Sequence, residues 1–187
     1  SRDRLSGEGG NDRLIIELAP NTWSRNAVLD GGSGNDVIII DNGLVSEVTA
    51  RGGEGDDQFI VRGGLFVVVA GGAGRDTFAF EQARPPPITD FQAGSGGDVF
   101  DLSLAFFGAS DFESGRVRLA EMGGDTIIIF SSQGAGQLYA ILEGDSAFDL
   151  TAENFGGITP YSIRTGSADA DLLVGGLSAD RMTGGAG

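Results

Sequence analysis

The sequence predicts an all-β chain whose first half is a parallel β-solenoid, and three observations support this fold class. A short pattern, Gly-Gly-x-Gly-x-Asp-x-U-x with U a large apolar residue, recurs along the chain. Its central copies lie one whole coil apart, and apolar residues alternate with polar ones on both sides of each copy. Such a pattern places glycine-rich turns at one edge of a stack of strands.

The repeat has three complete copies and several weaker ones. The complete copies occupy residues 31–39, 52–60 and 71–79. An imperfect copy at 7–15 has Glu8 in place of the second glycine, and two degenerate copies close the chain at 166–174 and 175–183. Self-similarity of this kind is the signature of a repeat architecture.

The spacing of the aspartates indicates the size of one coil. Asp36 follows Asp12 by 24 residues, and the next two intervals are 21 and 19 residues. A plain tandem array would place an aspartate every nine residues or so, so each longer interval corresponds to a coil of two strands and two turns. We therefore expect the turns at 7–12, 31–36, 52–57 and 71–76 to stack on one edge.

Strands are predicted on both sides of each turn. After Asp36 the alternate residues Ile38 and Ile40 are apolar, and before the same turn Ala27 and Leu29 are apolar. A period of two puts each pair on one strand face, and stacking buries these faces as continuous columns that one repeat could not bury alone. Glycine-rich turns in ordinary hairpins are the alternative, but hairpins do not require aspartate at a fixed place.

The pattern changes at residues 84–87, where Arg-Pro-Pro-Pro cannot continue a sheet ladder. Short helices are predicted at 105–112 and 150–155. Antiparallel strands joined by hairpin turns are predicted at 116–122, 125–131 and 138–142. The expected organisation is thus a parallel roll at 1–83, a β-rich capping module at 84–160 and the start of a second, truncated repeat array at 161–187.

The composition excludes most catalytic chemistry. The chain has no Cys, His or Lys, and its 12 cations are all arginines against 27 carboxylates, for a net charge of −15. Disulfides, thiolate or imidazole metal sites, Ser–His triads, P-loops and Schiff-base chemistry each need a missing residue type. So acidic a chain is a poor partner for nucleic acid, and no apolar run is long enough to span a bilayer. We expect a non-catalytic segment with no nucleic-acid partner and no membrane span.

The repeated turns suit a hard cation. Glycine accepts φ > 0 and lets backbone carbonyls point into a turn, and Ca²⁺ takes six to eight oxygens at about 2.3–2.6 Å. One turn offers too few oxygens, so the sites are expected between consecutive turns, at three places. Zinc and copper want nitrogen or sulfur ligands, and Mg²⁺ keeps its own waters. Calcium is the predicted cofactor.

The repeat is identified as the calcium-binding nonapeptide of RTX proteins. The chain resembles the C-terminal β-roll (a right-handed β-solenoid) of serralysin-type proteases and the repeat modules of alginate epimerases. Residues 88–103 resemble the I-x-D-F … D-L-S element that follows the repeats in that family and caps the roll. The resemblance implies calcium ligands at the second, fourth and sixth repeat positions, namely Gly32, Gly34, Asp36, Gly53, Gly55, Asp57, Gly72, Gly74 and Asp76, with Gly10 and Asp12 in the first copy.

Four further residues are weaker candidates for the metal. Glu8 contributes a backbone carbonyl at the second position of the first copy, while Asp171 and Asp180 belong to the degenerate copies at the end of the chain. Asp90 lies in the capping element in a small carboxylate group with Asp98 and Asp101, where one more calcium site, with Asp90 as the best candidate ligand, and ordinary turn-capping chemistry are both open.

The resemblance implies a calcium-binding repeat module of a secreted bacterial protein. The module would fold on calcium binding outside the cell after type I secretion, and would stabilise its parent protein. Two alternatives stay open: a polysaccharide- or cell-surface-binding module such as an adhesin domain, and the non-catalytic tail of a secreted protease or lipase.

Overall fold

The computed structural model describes residues 3–18, 26–42, 47–63, 66–81, 86–104, 108–132, 135–160, 162–165 and 180–183. Its strands are β1 Asp3–Ser6, β2 Arg13–Leu18, β3 Ala27–Ser33, β4 Val37–Asn42, β5 Glu47–Glu54, β6 Gln58–Val61, β7 Phe66–Ala73, β8 Thr77–Phe80, β9 Pro87–Ile88, β10 Val99–Phe100, β11 Val117–Met122, β12 Asp125–Ser132, β13 Ala135–Leu142, β14 Ser162–Thr165 and β15 Asp180–Thr183. Helix α1 covers Ala109–Glu113, and short 3-10 helices cover Leu102–Leu104 and Glu153–Phe155.

The first eight strands form a parallel β-roll, as the repeat spacing predicts. Strands β1, β3, β5 and β7 lie side by side in one sheet, and β2, β4, β6 and β8 lie in a second. All neighbouring pairs in this part of the chain are parallel. Each turn 7–12, 31–36, 52–57 and 71–76 therefore connects the same two sheets at the same edge.

The first sheet continues past the proline run, contrary to the expectation that this run stops the ladder. Its full order is β1-β3-β5-β7-β9-β13-β12-β11, with β9 between the roll and the antiparallel strands. Pro87 has no N–H, but Thr89 donates to the carbonyl of Val69 and Glu143 donates to the carbonyl of Ile88. Strand β9 thus makes backbone hydrogen bonds to β7 on one side and to β13 on the other, which joins the two halves of the sheet.

The core lies between the two sheets, in columns that run along the stack. One column joins residues in register from β2 to β10, all at most 5% exposed: Leu14, Ile38, Phe59, Phe78 and Phe100. Phe59 and Phe78 stack with their ring centroids 5.1 Å apart. The predicted alternation of buried and outward residues is confirmed in β2 and β6, whereas β4 and β8 also bury the intervening residues Ile39 and Ala79.

The segment after the roll has the predicted hairpins but less helix than expected. Strands β11, β12 and β13 are antiparallel neighbours. The helix expected at 150–155 is a single 3-10 turn. The side-chain Oδ1 of Asn154 accepts the N–H of Thr151, and Gly156 takes a left-handed φ of 62°, which ends the turn. Of the helix expected at 105–112, residues 109–112 are helical and 105–107 lie outside the described residues.

At the end of the chain, β14 and β15 form a parallel pair. Asp180 begins β15, opposite Ser162, while Asp171 lies outside the described residues. None of the described helices has the length and apolarity to cross a membrane.

Removing an aromatic ring from the core column tests whether the stacked columns stabilise the roll. Phe78 is fully buried and contacts four other rings, so Phe78→Ala is expected to lower the free energy of unfolding by about 3–5 kcal/mol. Phe148 is 65% exposed, and Phe148→Ala is expected to change it by less than about 0.5 kcal/mol. Urea unfolding in calcium buffer measures both, and equal losses would contradict the packing described here.

Candidate metal centre

A ladder of aspartates ties the four glycine turns together. We number the turns 7–12, 31–36, 52–57 and 71–76 as turns 1 to 4. The backbone N–H of Asp12 donates to Oδ1 of Asp36 (2.7 Å), that of Asp36 to Oδ1 of Asp57 (2.8 Å), and that of Asp57 to Oδ1 of Asp76 (2.9 Å). Each carboxylate thus bonds the turn before its own, which holds its two oxygens in a fixed orientation.

The second oxygen of each carboxylate has no donor. Oδ2 of Asp12, Asp36, Asp57 and Asp76 is buried, and no hydrogen-bond partner reaches it in the part of the chain that the structure describes. A buried ionised oxygen without a partner is costly. Its presence at the same place in all four turns indicates that the site is built for a cation.

A backbone carbonyl faces this oxygen in the first three turns. A Cβ placed on Gly31 would meet both Oδ2 of Asp36 and the carbonyl oxygen of Gly52, and one placed on Gly52 would meet both Oδ2 of Asp57 and the carbonyl oxygen of Gly71. Gly7 has the same surroundings, with Oδ2 of Asp12 and the carbonyl of Gly31. The first glycine of the repeat is therefore required for close approach, because a side chain would displace these oxygens.

The other two glycines direct carbonyls along the stack. Gly53 and Gly55 have φ of 119° and 120°, values that L side chains rarely adopt. A Cβ on Gly53 would collide with the carbonyl oxygen of Gly32, and one on Gly55 with that of Gly34. The second and fourth carbonyls of turns 1 to 3 thus lie against the following turn, and that of Glu8, at the second position of turn 1, accepts the N–H of Ser33 there.

A second, exposed ladder runs in the opposite direction. The N–H of Asn35 donates to Oδ1 of Asn11, that of Asp56 to Oδ1 of Asn35, and that of Arg75 to Oδ1 of Asp56, at 2.8–3.0 Å. These fifth-position side chains hold the turns in register from the solvent side. They leave the sixth-position carboxylates alone on the inner side of the turns.

Burial of the carboxylates changes their protonation. Desolvation raises the pKa of Asp57 to about 6 and that of Asp76 to about 7, and the neighbouring carboxylates add to both shifts. Desolvation also raises the pKa of Asp98. Without a cation the inner row of carboxylates is therefore electrostatically unfavourable when ionised.

The donor set fits calcium. No group of three acidic side chains converges on one point among the described residues, and each gap between turns offers a carboxylate oxygen with several backbone carbonyls. Hard oxygen donors of this kind match Ca²⁺ rather than a transition metal. The residues that would hold it include Asp12, Asp36, Asp57 and Asp76 with the glycine carbonyls that face them, and Asp76 would serve the gap between turns 3 and 4, because its carboxylate bonds turn 3.

Comparison with known proteins agrees with this chemistry. Residues 1–15, 24–43 and 165–187 match the family model described as RTX calcium-binding nonapeptide repeat, in 4 copies. The match covers these three segments, which are less than half of the chain. Turns 3 and 4 lie outside the matched residues, yet they share the aspartate ladder and the glycine geometry of turn 2.

One solved structure resembles the chain over most of its length. The AlgE6R3 subunit of the Azotobacter vinelandii mannuronan C5-epimerase is 26% identical, with a TM-score of 0.34 and coverage of 78% of each chain. The search of curated proteins gave no match.

The structure places most of the predicted ligand residues in turns 1 to 4. Glu8, at φ 67°, adopts the left-handed backbone of the glycine that it replaces, and its carbonyl accepts the N–H of Ser33. Asp90 lies apart from the aspartate ladder, and its two oxygens accept the N–H groups of Gly71 and Gly72. Asp180 is in β15, which pairs with β14, and Asp171 is outside the described residues.

The sequence groups Asp98 with Asp90 and Asp101 in the capping element, but it does not show that Asp98 belongs to the aspartate ladder. Asp98 is 1% exposed, and its Oδ1 accepts the N–H of Asp76 at 2.8 Å, so it is the fifth rung of the aspartate ladder. The signal was present: Asp98-Val99-Phe100 repeats the Asp-x-U pattern 22 residues after Asp76. An irregular glycine loop before it, in place of Gly-Gly-x-Gly, hid the repeat.

Adding one methyl group at the first glycine of a turn tests the close approach of the oxygens. Gly52→Ala is expected to destabilise the calcium-bound chain by about 3 kcal/mol, because its Cβ meets Oδ2 of Asp57 and a backbone carbonyl, neither of which can move freely. Gly108→Ala makes the same change in open space and should cost no more than about 1 kcal/mol. Thermal or urea unfolding in calcium compares them, and a larger loss for Gly108→Ala would contradict this geometry.

Two of the buried carboxylates, Asp57 and Asp76, predict an unusual pH dependence for the calcium-free chain. Their pKa values are raised in the folded state, so the folded chain binds more protons than the unfolded chain between about pH 4 and pH 7. The free energy of unfolding should therefore fall as pH rises through that window. The far-UV circular dichroism β signal in EDTA, recorded at several pH values across that window, measures the change as a larger folded fraction at the lower pH. Asp76→Asn keeps the oxygen that accepts the N–H of Asp57 but cannot titrate, and a slope as steep as that of the wild type would contradict the assignment.

Proposed function

We propose that this chain is a calcium-dependent folding module of a secreted bacterial protein. The observation that carries the proposal is the row of buried Oδ2 atoms, one per turn, that no described donor satisfies. The three gaps between turns 1 and 4 are the proposed sites. In each gap an aspartate carboxylate and carbonyls from adjacent turns would bind one ion, and the ion would hold the two coils together.

Charge explains why folding would depend on the metal. The chain carries 27 acidic side chains against 12 arginines, and stacking the turns brings Asp36, Asp57 and Asp76 into a single column. Without cations this column repels itself, which opposes the compact state. Each bound Ca²⁺ cancels local charge and gives the facing oxygens a shared partner.

The expected gain per ion is sufficient to control folding. An ion that binds the folded chain alone stabilises it by RT ln(1 + [Ca]/Kd), or about 1.4 kcal/mol at ten times Kd. Three such ions contribute about 4 kcal/mol, a large part of the 5–15 kcal/mol stability typical of a domain. Extracellular calcium modules bind with Kd of about 10⁻⁴–10⁻³ M. The module would stay unfolded in calcium-poor cytosol and fold after export, consistent with type I secretion, and residues 84–160 would cap the roll.

Far-UV circular dichroism during a calcium titration tests the folding switch. The calcium-free chain is expected to lack most of its β signal, to gain it cooperatively as calcium rises, and to lose it again with EDTA. A chain that is fully folded in EDTA and unchanged by calcium would refute the proposal. Magnesium at the same concentration serves as the ion control, since a tight octahedral ion matches carbonyl-rich turns poorly.

A matched pair of variants in turn 3 tests the role of the inner carboxylate. Asp57→Asn keeps the Oδ1 acceptor for the N–H of Asp36 but removes the charge from the unpartnered oxygen. It is expected to raise the calcium midpoint at least tenfold, a loss of about 1.4 kcal/mol. Asp56→Asn removes the same charge from the neighbouring exposed ladder and should shift the midpoint less than about threefold. Equal shifts would contradict the assignment of Asp57 as a ligand.

A further inference from the structure

The coil after turn 4 departs from the repeat where calcium ligands would be needed. We call residues 90–98 turn 5, since it joins β9 to β10 and ends at Asp98, the fifth rung of the ladder. Ile88 pairs with Val69 in the sheet. Asp90 comes two residues after Ile88, and Gly71, the first glycine of turn 4, comes two residues after Val69. Asp90, Phe91 and Gln92 thus stand where the earlier turns have Gly-Gly-x.

Asp90 and Phe91 do not provide the ligand arrangement of the first two glycines in the earlier turns. The carboxylate of Asp90 accepts the N–H groups of Gly71 (2.8 Å) and Gly72 (3.0 Å). Phe91 is 4% exposed, and its ring stacks on Phe100 at 5.0 Å between centroids, where it closes the end of the aromatic core. Neither residue reproduces the glycine backbone that directs carbonyls between turns.

Gln92 takes two acceptors that belong to the gap between turns 4 and 5. Its side-chain Nε2 donates to the carbonyl of Gly72 (3.2 Å), the counterpart of the carbonyls that face the next turn in turns 2 and 3. Its backbone N–H donates to Oδ2 of Asp98 (2.8 Å). Asp98 consequently has donors on both oxygens, unlike the four aspartates before it.

Arg75 and Asn154 supply further donors to the same gap. Arg75 occupies the fifth position, where the other turns have Asn or Asp, and its Nε donates to the carbonyl of Gly97 (3.1 Å). Asn154 is fully buried, and its Nδ2 donates to the carbonyls of Asp98 (2.7 Å) and Gly94 (3.1 Å). Carbonyls that would otherwise be available to a cation are bonded to the protein itself.

The fourth turn also lacks the oxygen pair seen in the first three. A Cβ on Gly71 would meet Oδ2 of Asp76, but its three nearest atoms all belong to Asp76, whereas the equivalent glycines of turns 1 to 3 meet a carbonyl of the following turn as well. The carbonyl that would complete a fourth pair is not at that place.

We propose that turn 5 ends the calcium array without binding calcium. The chain's own N–H groups, from Gln92, Arg75 and Asn154, take the place of the ion in the gap between turns 4 and 5. This edge of the roll therefore binds three ions and not four, and the segment after the roll stays attached through hydrogen bonds. The inference rests on the proposed function, because it concerns where the calcium sites end.

Anomalous diffraction from crystals of the calcium-bound chain tests the inference directly. Calcium peaks are expected in the gaps between turns 1 and 2, 2 and 3, and 3 and 4, with none between Asp76 and Asp98. A peak in that fourth gap would overturn the inference while leaving calcium binding intact. Absence of every peak on this edge would instead refute the proposed function, and the inference with it.

Ion counting in solution gives an independent answer. Equilibrium dialysis at saturating calcium, with metal analysis, is expected to show that Asp57→Asn binds at least one ion fewer than the wild type. Gln92→Ala and Asp98→Asn should bind as many ions as the wild type. Far-UV circular dichroism in the same buffer shows whether each variant is folded. A folded Asp98→Asn chain that has lost one ion would overturn the inference. If Asp98→Asn does not fold, Gln92→Ala provides the test. A folded Gln92→Ala chain that binds one ion more or one ion fewer than the wild type would also overturn the inference.

Discussion

The buried carboxylate oxygen without a donor is the constraint on which the rest of the roll depends. One such oxygen recurs in each of the four turns, and the neighbouring features follow from it. The first glycine of the repeat leaves room for it, and the aspartate ladder fixes its direction. The raised pKa values of Asp57 and Asp76 show its electrostatic cost. The proposed cation, shared by consecutive turns, would remove that cost and let a chain of charge −15 form so tight a stack.

Two different forces act along the stack. Inside the roll, columns of apolar and aromatic side chains pack between the sheets, and this contribution does not depend on calcium. At the edge, the turns approach each other through acceptors, and this contribution depends on the ion. In turn 5 only the first contribution continues. Phe91 extends the aromatic packing of the core, while Gln92 and Asp98 make ordinary hydrogen bonds at the edge.

The regular part of the molecule was predictable from local patterns. The aspartate intervals indicated the coil size, and the alternation of apolar residues around Asp36 and Asp57 indicated two strands per coil. The irregular part was not. The place of Asp98 in the ladder was missed because three extra residues in its loop broke the repeat. Strand β9 was missed because two residues are too few to show a period. The helix expected at 150–155 failed because Asn154 bonds the backbone of Thr151 and of residues 60 positions away, which no local pattern reports.

The sequence by itself determined the chemistry of the sites, since a chain without Cys or His can offer a metal little except oxygen, and its glycines and aspartates recur at the spacing of stacked turns. Tertiary structure alone decided which oxygens lack a partner. Asp76 and Asp98 both follow the Asp-x-U pattern, yet Oδ2 of Asp76 has no donor and Oδ2 of Asp98 accepts the N–H of Gln92. The reason is physical: a hydrogen bond or an ion at a carboxylate depends on what the neighbouring coil presents to it, and that neighbour is fixed by the stacking of residues about 20 positions apart.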